Sequence, residues 1–265
     1  MTLSTASNQL TLDGSTPESR SIDIMRMFEP PEGYYLAFSG GKDSVVLYEL
    51  AVRAGVKFDA HYAVTGIDPP EVMRFIRDNF KDVVWDKPDT NFYKSIEKNG
   101  LPTIMARWCC GELKEKHGNG RIVLTGVRAA ESAKRSKYGI VRPCLRGGAN
   151  KMLVSPLLHW TTEEVWQFIR SENLPYCSLY DEGFKRIGCI PCPFERNIQR
   201  NIDRWPRVFD RIKAICDELY IQKDSWQKRW TSGADYFNRW ISRDSAPSDE
   251  SDEQFAFDQF EDEEE

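Results

Sequence analysis

The stretch Tyr34-Tyr35-Leu36-Ala37-Phe38-Ser39-Gly40-Gly41-Lys42-Asp43-Ser44 decides how the chain is read. Residues 34–38 form an apolar run of strand length, which Ser39-Gly40-Gly41 breaks. Residues 43–54 (DSVVLYELAVRA) then place Val46, Leu47, Leu50 and Ala51 at helical spacing, and Gly55 stands where a helix C-cap is expected. A glycine turn between strand and helix lets backbone N–H groups approach an anion, and the helix N-terminus adds partial positive charge. Lys42 supplies a point charge, and the hydroxyls of Ser39 and Ser44 supply donors. Asp43 makes sense beside phosphates chiefly as a magnesium ligand. The spacing excludes the P-loop pattern G-x-x-x-x-G-K-S/T.

Outward from this point the same alternation continues. Residues 57–64 (KFDAHYAV) read as a strand, 70–80 as a helix opened by Pro69-Pro70, 82–85 as a strand, and 121–126 as a strand ending in Gly126. Strands alternating with helices imply βαβ units and a mostly parallel sheet, the α/β class. Ligands of such sheets sit beyond the carboxyl ends of the strands. The loops 39–44, 65–68 and 126–132 are therefore expected to line one crevice. Thr161-x-x-Glu164 is a capping box for a helix to about residue 171, with Val165, Phe168 and Ile169 inward. Residues 197–221 and 222–242 read as helical and rich in Arg and Trp. The expected organisation is an extension over 1–28, an α/β domain over 29–195, a helical region over 196–243 and a disordered acidic tail over 244–265.

The 265 residues carry a net charge of −5, yet residues 245–265 hold ten acidic residues and no Lys or Arg, so the rest is net +5. A mildly basic body suits phosphate-bearing substrates. The tail reads as a solvated end, or as a docking peptide around Phe255, Phe257 and Phe260. No apolar run reaches the roughly 20 residues of a bilayer span, and the first 28 residues lack the pattern of a secretory signal, so a cytoplasmic location is expected. Seven cysteines in such a chain are not a disulfide framework. Cys109-Cys110 with Cys189-x-x-Cys192 reads as a metal or cluster site; iron–sulfur, zinc and buried thiols all suit four such residues.

Ser39 to Ser44 resembles the pyrophosphate loop of the N-type ATP pyrophosphatases, within the phosphoadenosine phosphosulfate (PAPS) reductase-like family. Thr65-Gly66-Ile67-Asp68-Pro69-Pro70-Glu71 is similar to the family's second motif, and Thr125-Gly126-Val127-Arg128-x-x-Glu131-Ser132 to its third. Ser155-Pro156-Leu157, the Trp160–Trp166 helix start, Asn173-Leu174-Pro175-Tyr176 and Arg186-Ile187-Gly188-Cys189-Ile190-Pro191-Cys192-Pro193 follow in the family's order. Val64 departs from the acidic residue that relatives carry there. The resemblance implies the Rossmann-like adenine nucleotide α-hydrolase (HUP) fold. It implies nucleotide contacts at Ser39, Gly40, Gly41, Lys42, Asp43, Ser44, Thr65, Gly66, Gly126 and Arg128, with Lys42, Asp43 and Arg128 acting in catalysis on ATP with Mg²⁺. Cys109, Cys110, Cys189 and Cys192 resemble the four-iron, four-sulfur (4Fe–4S) ligand set of assimilatory sulfonucleotide reductases and of DNA-phosphorothioation pyrophosphatases, which favours a cluster over zinc.

The reductases also use a nucleophilic cysteine in a Glu-Cys-Gly-Leu-His segment, and no cysteine follows Cys216 here. Cys216 falls on the apolar face of a helical pattern and Cys177 follows Pro175-Tyr176, both readings of packing. Cys144, among Arg142, Arg146 and Gly147-Gly148, is either an incidental loop residue or a persulfide carrier. Arg128, Lys134, Arg135, Lys137, Arg142, Arg146 and Lys151 read as a solvated face or as a surface for a nucleic-acid backbone, which Arg196, Arg200, Arg204, Arg207 and Arg211 extend. Trp226, Trp230 and Trp240 are expected to pack the C-terminal helices.

The expected function is therefore ATP pyrophosphatase chemistry that adenylates an acceptor for sulfur transfer, in DNA backbone phosphorothioate modification. The partners implied are ATP, a cysteine desulfurase and DNA, with a homodimer as a further expectation and no membrane. The alternatives are a PAPS or adenylyl-sulfate reductase using thioredoxin and a non-catalytic nucleotide-binding accessory protein.

Overall fold

The computed structural model describes residues 14–144 and 150–243. The acidic tail, Arg146 and Gly147-Gly148 lie outside the described residues. The chain divides into two units, Met1–Phe92 with Arg107–Ile190, and Tyr93–Ala106 with Pro191–Glu265.

The first unit is built on a six-stranded sheet: β1 (Tyr34–Ala37), β2 (Phe58–Ala63), β3 (Val84–Asp86), β4 (Ile122–Leu124), β5 (Val141–Cys144) and β6 (Lys151–Val154), in the spatial order β3-β2-β1-β4-β6-β5. All neighbours are parallel except β5, which runs antiparallel on the edge beside β6. The strand order reverses at β1, between β2 and β4, and a crevice for a ligand opens at such a switch point. β1 is short because its apolar residues run straight into the glycine turn, and Tyr34 and Leu36 are fully buried.

Helices α1 (Pro17–Met27), α2 (Lys42–Ala54), α3 (Pro70–Asn79) and α6 (Thr162–Ser171) belong to this unit. α2 buries the apolar face legible in its sequence (Val46, Leu47, Leu50, Ala51) and stops at Gly55, whose φ of +68° closes the helix without a Cβ penalty. α6 starts at the capping box, with Thr161 Oγ1 accepting from Glu164 N at 3.1 Å and Glu164 Oε2 accepting from Thr161 N at 2.7 Å. α1 is held through Ser21, which donates to Pro156 O at 3.0 Å and accepts from Trp160 Nε1 at 2.9 Å.

Helix α4 (Phe92–Asn99) begins at the edge of the first unit, and the short α5 (Trp108–Cys110) runs into a π-helical turn over Gly111–Glu115. The second unit adds α7 (Ile198–Arg204), α8 (Pro206–Gln222), α9 (Asp224–Arg229) and α10 (Gly233–Ser242). Pro206 starts a new helix rather than extending α7, because proline lacks the N–H that an interior position requires. Trp226 and Trp230 pack on Tyr236 with ring centroids 4.7 and 4.8 Å apart, and Trp240 Nε1 donates to Pro102 O at 2.7 Å. α10 crosses α8 so closely at Gly233 that an added Cβ would stand 2.5 Å from the Asp217 backbone. Gly233→Ala is expected to lower stability by about 1–3 kcal/mol through that overlap; chemical denaturation monitored by tryptophan fluorescence checks it. Among the described residues no helix is long and apolar enough to cross a membrane.

Candidate functional site

The loop after β1 is shaped by Gly40, at φ +70°, where a side chain would meet Val72 and Ile76 of α3 at 3.0 Å. Gly41 caps α2, so Lys42, Asp43 and Ser44 form its first turn and their N–H groups belong to the helix N-terminus. The loop is braced internally. Ser44 Oγ donates to Gly41 O at 2.8 Å and accepts from Ser39 N at 3.2 Å. Ser39 is exposed, whereas Gly40, Gly41, Lys42 and Ser44 are buried.

The loop after β4 closes on this turn. Gly126 lies against the Asp43 backbone, where a Cβ would stand 3.1 Å from its carbonyl. Two residues on, Arg128 is buried and donates through Nε to Asp43 Oδ1 at 2.6 Å and through Nη1 to Trp160 O at 3.2 Å and Thr162 Oγ1 at 3.3 Å. The other carboxylate oxygen of Asp43 takes Lys42 Nζ at 3.1 Å. Lys42, Asp43 and Arg128, residues from two loops, therefore meet as a cation–carboxylate–cation triplet.

Tyr180 joins them, with its hydroxyl accepting from Lys42 N at 2.9 Å and its ring centroid 5.7 Å from Lys42 Nζ. Burial raises the Tyr180 pKa, so the phenol stays neutral. No spacing in the sequence points to Tyr180.

The loop after β2 meets the cysteine segment. Gly66 has φ +75°, and Asp68 Oδ2 accepts from the N–H of the buried Thr65 at 2.8 Å. Ile190 N donates to Ile67 O at 2.9 Å, which holds Cys189 over the loop, its Sγ 3.9 Å from Thr65 Oγ1 and 4.0 Å from Asp68 Oδ1. Lys114 keeps part of its surface in solvent, but its ammonium is enclosed among Cys189, Asp68 and Cys110. Crowding opposes its charge, and those neighbours more than offset this, so its pKa is raised. Sequence reasoning missed Lys114; its position four residues after Cys110 is the helical spacing that could have found it.

Cys109 and Cys110 end α5, and their thiols are hydrogen-bonded to each other. The hydrogen bond from Cys109, with Lys114 and Arg107 nearby, outweighs burial and pulls the Cys110 thiol down to about 6. Sulfur donors held toward the thiolate form have the chemistry of a soft-metal or cluster site. Among the described residues no group of three His, Cys, Asp or Glu side chains encloses a single ion. Cys192 belongs to the second unit.

The remaining candidates separate. Within the basic run, Lys151 is buried and donates to His117 O at 2.6 Å, and Arg142 stacks 4.2 Å from the Tyr138 ring, so these do not form an open cationic face with the exposed Lys134 and Lys137. Cys144 pairs with Lys151 at the first residue of β6, the opposite end of the sheet from the β1 loop. Cys177 and Cys216 are buried; burial raises both thiols, the second to about 12.

Sequence comparison agrees with the geometry. The profile of the phosphoadenosine phosphosulfate reductase domain matches residues 33–195. An uncharacterized protein of Methanocaldococcus jannaschii is 32% identical over 214 residues, 73% of this chain and 51% of that protein. The adenosine 5'-phosphosulfate reductase of Oceanobacillus iheyensis is 29% identical over 172 residues, 59% of this chain and 69% of that one. The chain spans about half the length of the archaeal relatives it matches. In fold it is similar to the phosphoadenylyl-sulfate reductase of Candida auris, solved as a phosphate complex, with a TM-score of 0.51 at 18% identity over 68% of this chain and 90% of that one. A glycine turn at the switch point of a parallel sheet, the Arg128 loop closing on it and a profile match across both make this chain a member of the phosphoadenosine phosphosulfate reductase domain family.

Proposed function

We propose that this chain is an ATP pyrophosphatase that adenylates an acceptor for sulfur transfer, the acceptor being a backbone phosphate of DNA. The observation that carries the reading is Asp43, a carboxylate kept between Lys42 and Arg128 inside an anion cradle. A triphosphate brings a magnesium ion for which Asp43 is a ligand. A sulfonucleotide has no β,γ-diphosphate for that ion to bridge.

In this reading the β- and γ-phosphates lie at the glycine turn, against the N-terminus of α2 and Lys42. Lys42 and Arg128 neutralise charge that builds on the phosphoryl oxygens as the bond breaks, so the protein acts by position and field. A non-bridging oxygen of the acceptor phosphate attacks the α-phosphorus. The bond from that phosphorus to the bridging oxygen breaks, and pyrophosphate leaves. The terminal sulfur of a cysteine persulfide, carried by a cysteine desulfurase, then attacks the activated backbone phosphorus and AMP leaves. A second thiol attacks the remaining S–S bond, releasing the phosphorothioate and leaving a protein disulfide.

We assign Cys109, Cys110, Cys189 and Cys192 as ligands of a 4Fe–4S cluster; Cys192 enters through the C-I-P-C motif alone. The cluster, when bound, supplies fixed negative charge and one-electron redox capacity. Lys114 offsets the negative charge of the thiolates and of Asp68, and Thr65 touches both Cys189 and Asp68.

The experiment follows label from α-³²P-ATP into a single-stranded or duplex oligonucleotide in the presence of Mg²⁺. Covalent AMP on the oligonucleotide, with equimolar pyrophosphate, is the expected result. Pyrophosphate release with no labelled nucleic acid contradicts the choice of acceptor.

A second reading, a sulfonucleotide reductase, is favoured by the named relatives and requires a reactive thiol near the nucleotide. Cys177 and Cys216 do not meet that requirement. Both are expected to resist iodoacetamide in the native protein at pH 8, because burial disfavours the thiolate. Mass spectrometry of alkylated peptides checks this, and rapid labelling of either residue contradicts it.

A further inference from the structure

A cleft of about 220 Å³ in the first unit is lined by Trp166, Arg170, Tyr176, Tyr180 and Asp181, none of which the nucleotide loop needs for its own bracing except Tyr180. Trp166 and Arg170 are four residues apart on α6 and so share a face. The indole meets Tyr176 at 5.5 Å and Tyr180 at 5.0 Å, both at 89°, an arrangement in which the three rings do not cover one another face to face. Tyr176 is 40% exposed. Its hydroxyl donates to Asp181 Oδ1 at 3.1 Å, and a carboxylate accepts further donors. Tyr180 is shared between the cleft and the phosphate loop: its ring lines the cleft and its hydroxyl takes the Lys42 N–H.

Aromatic walls, a guanidinium and a carboxylate acceptor form a site for a planar heteroaromatic ring with N–H donors on its edge and a phosphate attached. A nucleobase in a strand has that chemistry; stacking on aromatic side chains with Arg alongside is how unpaired nucleotides are held. Exposed Lys185 and Arg186 in the same loop continue the positive charge.

We propose that this cleft stacks one unpaired base of the acceptor strand and so presents the neighbouring backbone phosphate to the Lys42–Asp43 loop. The inference rests on the reading of the acceptor as nucleic acid and makes the substrate single-stranded or locally opened.

The test uses the full chain with three probes: a fluorescein-labelled single-stranded DNA 12-mer, a 12-mer of abasic sites, and ATP. Trp166→Ala is expected to weaken the 12-mer by about 5- to 100-fold, the range of one stacked base, and Trp166→Phe to recover most of that. The abasic strand is expected to bind weakly to wild type and to both variants alike. The exposed Arg170→Gln is the third variant; it is expected to reduce the salt dependence of 12-mer binding without unfolding the helix. Equal affinity of wild type for the 12-mer and the abasic strand overturns the inference. Parallel loss of ATP and 12-mer affinity in Trp166→Ala also overturns it, because the cleft then holds the adenine of ATP. Base-dependent binding without any pyrophosphate release leaves the cleft assigned and overturns the pyrophosphatase reading instead.

Discussion

Exchange of Asp43 for asparagine is expected to lower pyrophosphate release from ATP by about 100- to 1,000-fold, the loss seen when one preorganised stabilising group is removed from a water-poor site. The two side chains have the same shape, and the amide oxygen can still accept from Arg128 Nε. Buried Arg128 and Lys42 lose their counter-charge, however, so the variant is also expected to be destabilised, by about 3 kcal/mol, and turnover is measured well below its unfolding temperature. What disappears is the negative charge between Lys42 and Arg128. The magnesium that accompanies the triphosphate then loses a charged ligand. The fall belongs in kcat more than in KM, because Lys42 and the helix N-terminus still attract the phosphates. Steady-state pyrophosphate release across a magnesium titration measures this, and a variant within threefold of wild type contradicts the role.

Arg128→Ala is expected to act on both stability and turnover. The Arg128 side chain is 3% exposed and its partner Asp43 22% exposed. Removing one member of a buried pair leaves the other poorly compensated, at a cost of about 3–5 kcal/mol when both are buried. Asp43 keeps Lys42 and some water, which sets the expectation at the lower end, about 3 kcal/mol. The lost donor toward the phosphates adds about 100-fold in turnover. Arg128→Lys restores the charge without the fork that reaches Asp43, Trp160 and Thr162 together, so partial recovery is expected. Urea unfolding midpoints and pyrophosphate release, measured on both variants, separate the effects. Full turnover in a destabilised Arg128→Ala contradicts a role at the nucleotide.

Much of this was legible in the sequence, for identifiable physical reasons. α2 and β1 were plain because apolar periodicity, a glycine turn and a glycine C-cap agree with one another over residues 34–55. The capping box at Thr161 marked α6 in the same way. α1 was not read, since its helix rests on Thr16 capping and on polar Ser21, whose partners lie 135 and more residues away. β5 and β6 were missed because four-residue edge strands carry little periodicity. The meeting of Asp43 and Arg128 followed from the loops lining one crevice at the switch point, whereas Tyr180 depends on a return of the chain 138 residues later. The basic run was read as one patch because a count of charges does not show that Lys151 points inward, toward backbone carbonyls. The position of Cys144, at the other end of the sheet from the glycine turn, is set by the antiparallel edge strand, which no local pattern in the sequence announces.

The most direct measurement uses protein purified without oxygen, its iron and sulfide content determined, and divides it between ATP with Mg²⁺ and a labelled sulfonucleotide with thioredoxin. Pyrophosphate and AMP from ATP, with no sulfite from the sulfonucleotide, are the expected products. Sulfite release, with ATP left intact, would contradict the pyrophosphatase reading and make the chain a reductase whose nucleophilic thiol is one of the cysteines assigned here to another role.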